Sequence, residues 1–352
     1  MSFSTGPPAQ FSHQVTRLQF PKDVHFGDDI SIWIAKAGDV ALGNMYLRVE
    51  WPSTAAPVDD SAGTRMIEFV ELRYENELIE RHYGESLELM NDIEVTTGKQ
   101  PVLQQLIGKG TTSNLAAYYI RMPFSVNLPL CALDKSPVFR VKFRPSQQFS
   151  QLNWTAPIQA DLFVDYVYVT KAERDYFATA KLDYLAQTFQ RLQFTIGAGV
   201  SETVFLSEFT RPVKELYWVI HNDGADPYDY TNQGSEQLIS LDLQFNHEYV
   251  IRPEVGTPMF LRIIQPLENH TRVPDRMFYM YSFALDPEHD QPTGHVNMSA
   301  VSRQTHTLQL SPCAFSRTVT VYAVTHTVVR VADGIAKNLF DTVQEGGTDT
   351  VL

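Results

Sequence analysis

Residues 281–299 read YSFALDPEHDQPTGHVNMS, and the order of residue types in this stretch sets the reading of the whole chain. Tyr279, Tyr281, Phe283 and Leu285 alternate with Met280, Ser282 and Ala284, which predicts a strand with two unlike faces over 277–285. Asp286-Pro287 ends it, because proline has no N–H to give to a ladder. Pro292 and Gly294 then turn the chain before a further strand opens. The loop between carries Asp286, Glu288, His289, Asp290 and His295, but no two of them stand at a recognisable metal-ligand spacing. It reads as a structural turn set by Asp286, Pro287, Pro292 and Gly294, with Gly294 expected at positive φ.

Similar strand-like runs fall at 30–34, 45–51, 67–74, 118–122, 138–143, 162–169, 216–220, 239–245 and 318–331. Short strands divided by Gly-, Pro- and Asp-rich turns predict an all-β chain of sandwiches or barrels. The 352 residues have room for two domains of ordinary size. VELRYENELIER (70–81) and LDLQFNHEYVIR (241–252) align without a gap, pairing Glu77 with Glu248 and Arg81 with Arg252. Their offset of 171 residues, about half the chain, points to two similar β-domains in tandem.

The joint is also legible. LFVDYVYV (162–169) is apolar on both faces apart from Asp165, as a buried strand requires. Thr170 follows, and Glu173 stands three residues on, the spacing of a capping box. A helix is predicted from there to about residue 185. The expected division is an N-terminal arm (1–20), a first β-domain (21–175), an interdomain helix and linker (176–188), a second β-domain (189–340) and a tail (341–352).

Composition narrows the function. The formal charge is −13 and no Lys/Arg cluster exists, so no direct nucleic-acid-binding face is expected. Cys131 and Cys313 make no disulfide framework and are expected as free thiols. The first residues lack the basic and apolar regions of a signal peptide, and no apolar run reaches the length of a membrane span. The sequons at Asn153, Asn269 and Asn297 then read as chance matches.

Catalytic, cofactor and metal residues are expected to be absent, and the chain is not read as an enzyme. No G-x-S-x-G elbow is present, and His326 inside a strand reads as a hydrogen-bonded sandwich residue. NDGADPYD (222–229) lacks the register of an EF-hand loop. Gly197 and Gly199 precede a strand, so they build no phosphate loop. Trp33, Trp51, Trp154 and Trp218 lie mostly within strand runs and read as core, which speaks against a carbohydrate-binding or carbohydrate-cleaving sandwich. Arg81 and His82, beside Tyr83-Gly84-Glu85, have two readings: an inter-subunit ion pair, or a solvated strand end.

Eight segments in chain order carry a resemblance. They are NMYLRVEW (44–51), FVELRYENELIERHYGESLEL (69–89), MPFSVNLPLCAL (122–133), ADLFVDYVYVTKAERDYFA (160–178), PVKELYWVI (212–220), QPLENHTRVP (265–274), the 281–299 stretch and VYAVTHTVVRVADG (321–334). Together they resemble the iridovirus-type major capsid proteins of nucleocytoplasmic large DNA viruses. Ser86 stands where that family's HYGEW signature has Trp, and Thr293 where its QPSG signature has Ser. The chain is shorter than most members, with the missing length in loops.

The resemblance implies a double jelly roll: two tandem eight-stranded antiparallel sandwiches with a short interdomain helix. It implies a structural capsid subunit whose homotrimers are pseudo-hexameric and tile an icosahedral shell. Implied partners are other copies, neighbouring capsomers, minor capsid or cement proteins and penton proteins, with an inner viral membrane nearby. The implied place is the virion, assembled in host cytoplasm. A minor capsid or scaffold protein of the same lineage is the alternative.

Overall fold

The computed structural model describes residues 12–51, 57–223, 228–289 and 291–340. Part of the 222–229 loop, Asp290 and the 341–352 tail therefore lie outside the described residues. Eight strands build a first sandwich: β1 (Ser12–Gln19), β2 (Asp29–Trp33), β3 (Asn44–Glu50), β4 (Ile67–Tyr74), β5 (Glu77–Tyr83), β6 (Tyr118–Pro123), β7 (Val138–Phe143) and β8 (Gln159–Tyr168). Its sheets run β1-β8-β3-β6 and β2-β7-β4-β5. Eight more build a second: β9 (Leu182–Ile196), β10 (Glu202–Ser207), β11 (Pro212–Asn222), β12 (Leu238–Phe245), β13 (Glu248–Ile251), β14 (Tyr279–Ser282), β15 (Gln304–Leu310) and β16 (Arg317–Ala332). Its sheets run β9-β16-β11-β14 and β10-β15-β12-β13, the first order with eight added to each number. Each is a jelly roll.

The 171-residue echo falls on one hairpin in each sandwich, β4-β5 and β12-β13. The pairing shifts at Leu72/Arg73 in one and at Leu243/Gln244 in the other. A further shift lies at Ile67/Phe69 and again at Leu238/Ser240. The turn residues Glu75 and Asn246 both take φ of 51°. All these positions keep the same offset, so bulges and turn repeat along with the sequence.

Alternation drives the strands. In NMYLRVE, Met45, Leu47 and Val49 are buried and the residues between face outward. One apolar cluster fills the first sandwich and another the second, and a third lies between them.

The linker helix spans Lys171–Thr179, not to about residue 185. From Leu182 onward the backbone is taken up by a long antiparallel ladder with β16, which offers more bonds than helix continuation does. Thr170 Oγ1 accepts from the Glu173 N–H at 3.3 Å, and the Glu173 carboxylate accepts from the Thr170 N–H at 2.9 Å. Arg174 ties the helix to the first sandwich through Asp39 at 2.7 Å. Thr170→Ala is expected to cost roughly 1 kcal/mol, read as a lower urea midpoint.

Three further expectations are corrected. Residues 12–19 of the expected arm form β1, because β8 offers them an open edge to pair with, and residues 1–11 of it lie outside the described residues. The strand predicted over 277–285 stops at Ser282, where its hydroxyl donates to the Ala284 carbonyl and leaves Leu285 86% exposed. Trp51 and Trp218 are core, but Trp33 faces solvent at the end of an edge strand.

Candidate functional site at the seam between the sandwiches

Strand β5 runs into the helix Gly84–Ile93 without a loop. The chain passes so close to the preceding hairpin that a Cβ at residue 84 would collide with the carbonyl oxygens of Thr64 and Ile67. Ser86 Oγ accepts from the Tyr83 N–H at 2.8 Å, closing the first turn. Leu89 and Ile93 then meet Phe189, Tyr217, Tyr322 and Val324 of the second sandwich in the third buried cluster. Full burial of one such side chain contributes about 1.5–3 kcal/mol.

Polar groups lock the same contact. Glu85 accepts from Tyr230 Oη at 2.9 Å and from Tyr322 Oη at 2.5 Å, two hydroxyls from the other sandwich. Burial first, then the Glu85 charge, pushes both phenols far up. Glu88 accepts from Ser61 Oγ at 2.9 Å, Thr64 Oγ1 at 2.8 Å and Arg276 Nε at 3.1 Å. Arg276 also reaches Asp60 at 2.7 Å and the Tyr228 carbonyl at 3.1 Å. Burial opposes its charge, but Glu88 and Asp60 outweigh burial and raise its pKa.

The 281–299 stretch serves the same seam. Glu288 accepts from the Thr271 N–H at 2.9 Å and lies 3.0 Å from His270 Nδ1. His270 Nε2 lies 2.8 Å from Glu215, on β11. Lys214 Nζ donates to the Pro287 carbonyl at 2.7 Å. A cavity of about 230 Å³ opens between these groups and His82.

Burial works against the His270 charge, but Glu215 and Glu288 outweigh it and hold the imidazole up at about 9. An unfolded histidine titrates near about 6.5. Below that pH the ion pairs stabilise the fold in full. Between about 6.5 and 9 the unfolded chain loses its proton first, so the gain falls, and above 9 it is gone. Melting temperature is expected to fall across that window, and His270→Gln to flatten the fall. An equally steep fall in the variant contradicts the assignment.

The matches with known proteins follow this geometry. Residues 8–170 match the family model for the major capsid protein N-terminus. Residues 173–337 match the model for the large eukaryotic DNA virus major capsid protein. The major capsid protein of Pyramimonas orientalis virus is 30% identical, over 92% of this chain and 89% of its own. The chain belongs to the major capsid proteins of large eukaryotic DNA viruses.

The capsid protein of Paramecium bursaria Chlorella virus 1 is 26% identical over 90% of this chain and 85% of that one. In fold, a chain of the PBCV-1 capsid superposes with a TM-score of 0.85 at 17% identity, covering 97% of this chain and 99% of that one. The Faustovirus major capsid protein gives 0.77 at 10% identity, covering 94% and 92%.

The seam of this capsid protein gathers some of the residues singled out from sequence and not others. His82 is buried between Phe124 and Phe189, so it stands at no solvated strand end. Arg81 bonds Glu71 of its own chain at 2.8 Å and faces the outer surface of β4. Asp286 is fixed by Thr293, whose hydroxyl accepts from the Asp286 N–H at 2.8 Å, and Pro287 meets Lys214. Pro292 lies in the same turn. Gly294 has φ of 154°, and a Cβ there would lie 2.7 Å from the Phe283 carbonyl oxygen. Among the described residues, no three His, Cys, Asp or Glu side chains gather as a metal would need. His326 is buried, but its Nδ1 has no hydrogen-bond partner among the described residues, and burial pushes its pKa down to about 4. Cys131 and Cys313 are both free thiols.

Sequence reasoning missed Glu85, Glu88, Arg276, His270 and Glu215. A signal existed for four of them: Glu85 and Glu88 stand in HYGESLEL, His270 in QPLENHTRVP and Glu215 in PVKELYWVI, titratable residues within segments that carry family motifs.

Proposed function

We propose that this protein is the repeating subunit of an icosahedral virion shell and assembles first as a homotrimer. Its role is structural, with no catalytic step. The observation that carries this is the pair of like-ordered jelly rolls joined by the seam. A chain that presents one fold twice lets three copies make a ring of six similar units, and six-fold outlines tile a shell. The seam holds the two units in one orientation through Glu85, Glu88 and Arg276.

An obligate contact of this kind buries roughly 2,000–5,000 Å². Contacts between trimers are weaker and gain strength by repetition. Neighbouring capsomers, cement and penton proteins are the further partners of this reading, and assembly proceeds in host cytoplasm. Negative-stain microscopy of the purified protein is expected to show particles with six lobes. Single compact particles with two lobes would overturn the reading.

A further inference from the structure

The two sandwiches are used unequally within one chain. On the second, a row of side chains crosses the outer face of β9-β16-β11-β14 from Arg191 to Tyr322, Tyr217 and Met280. The helix Gly84–Ile93 lies on that face and leaves Tyr322 and Tyr217 at 1% and 2% exposure. On the first sandwich, the matching strands carry a matching row of Arg17, Phe163, Tyr46 and Arg121. No described residue covers it as the helix covers its counterpart: Arg17 and Arg121 are exposed, and Phe163 and Tyr46 are half-buried.

The covering elements differ in the complementary sense. The helix that serves as cover lies between β5 and β6. Its counterpart between β13 and β14 is the segment Met259–Ile264 and Gln265–Asn269. There Met259 and Leu267 are 62% and 67% exposed, and no described residue takes them up. Strand β13 at its base is likewise an open edge with Tyr249 exposed, whereas β5 lies against β9, with the Arg81 N–H donating to Thr188 at 3.2 Å. Among the described residues, one chain therefore leaves one face without a cover and one cover without a face.

We propose that residues 259–269 of one copy dock on the outer β1-β8-β3-β6 face of a second copy. The contact repeats between chains what Gly84–Ile93 does within one, and it rests on the shell-subunit reading. It is head-to-tail, so each chain gives one cover and one face, and a closed ring leaves neither unused. Met259 and Leu267 are the apolar anchors, of the exposed kind that a desolvated contact centre takes up.

The test is sedimentation of the full chain, wild type against Met259→Asp with Leu267→Asp. Both positions are exposed in the single chain, so the substitutions leave its fold intact. Burying two carboxylates in the contact is expected to weaken association roughly a hundredfold or more, leaving the 40.0 kDa chain at micromolar concentration. Hydroxyl-radical labelling of wild type adds a second readout, with Tyr46 and Phe163 shielded in the assembled protein and labelled after dilution. If wild type associates and the folded variant associates equally, or if Tyr46 and Phe163 label alike in both states, this contact is wrong and the shell reading stands. If wild type does not associate, the shell reading fails and the contact with it.

Discussion

Arg276→Ala is expected to destabilise the protein by roughly 3–5 kcal/mol, the cost of leaving partners of a buried ion pair uncompensated. Glu88 is fully buried, and Arg276 is the cation that bonds its Oε1 from across the seam. Lys109 stands 3.6 Å from the same carboxylate but comes from the first sandwich and is also engaged by Asp92. It can soften the charge without joining the sandwiches. The loss should therefore concentrate at the seam, with faster hydrogen exchange over 84–93 and 217–219 and little change in the β2-β7-β4-β5 sheet. Adding Glu88→Gln should recover part of the loss, because the unpaired charge is then gone. A loss under about 1 kcal/mol, or a double variant that simply adds the two costs, contradicts the clasp.

Gly294→Val is expected to cost at least about 3 kcal/mol and to lower the yield of assembled protein. The Phe283 carbonyl oxygen stands 2.7 Å from where the Cβ would be, and the Ala284 Cα stands 3.2 Å away. Both are backbone, so neither swings aside as a side-chain tip would. The branched side chain also meets a backbone at φ of 154°. His289→Ala is the contrast: the ring is exposed and, among the described residues, bonds within its own turn, accepting from the Gln291 N–H at 3.1 Å, so the change should stay within about 0.5 kcal/mol. Chelators are expected to leave melting unchanged. If His289→Ala and chelator both lower the melting temperature while Gly294→Val does not, the loop holds a metal instead.

The fold was largely legible because strands announce themselves by alternation and hairpins by turn residues. The echo of 70–81 in 241–252 landed on equivalent hairpins because both keep the same bulge and the same turn. Thr170 and Glu173 were legible for a local reason: a capping box is set by residues three apart. The end of that helix was not local. Residues 182–188 could continue a helix, and their ladder partners, Thr325 to Val331, lie more than a hundred residues away.

The seam was hidden for the same reason. Glu85 and Glu88 look like solvated helix carboxylates until Tyr230, Tyr322 and Arg276 arrive from the other sandwich. His82 looked exposed because it follows a run of charged residues, yet its ring faces the opposite side from Arg81, toward Phe124 and Phe189. Trp33 erred the other way: its alternation within β2 was readable, but that its side faces solvent depends on β2 being an edge strand.

Light scattering on the chromatographed full chain tests the central claim most directly. Three chains of 40.0 kDa give 120 kDa, and a single species at that mass, constant over the micromolar range, is the predicted result. A single species at 40.0 kDa, folded and with its melting transition intact, contradicts the account of this protein as a trimeric shell subunit.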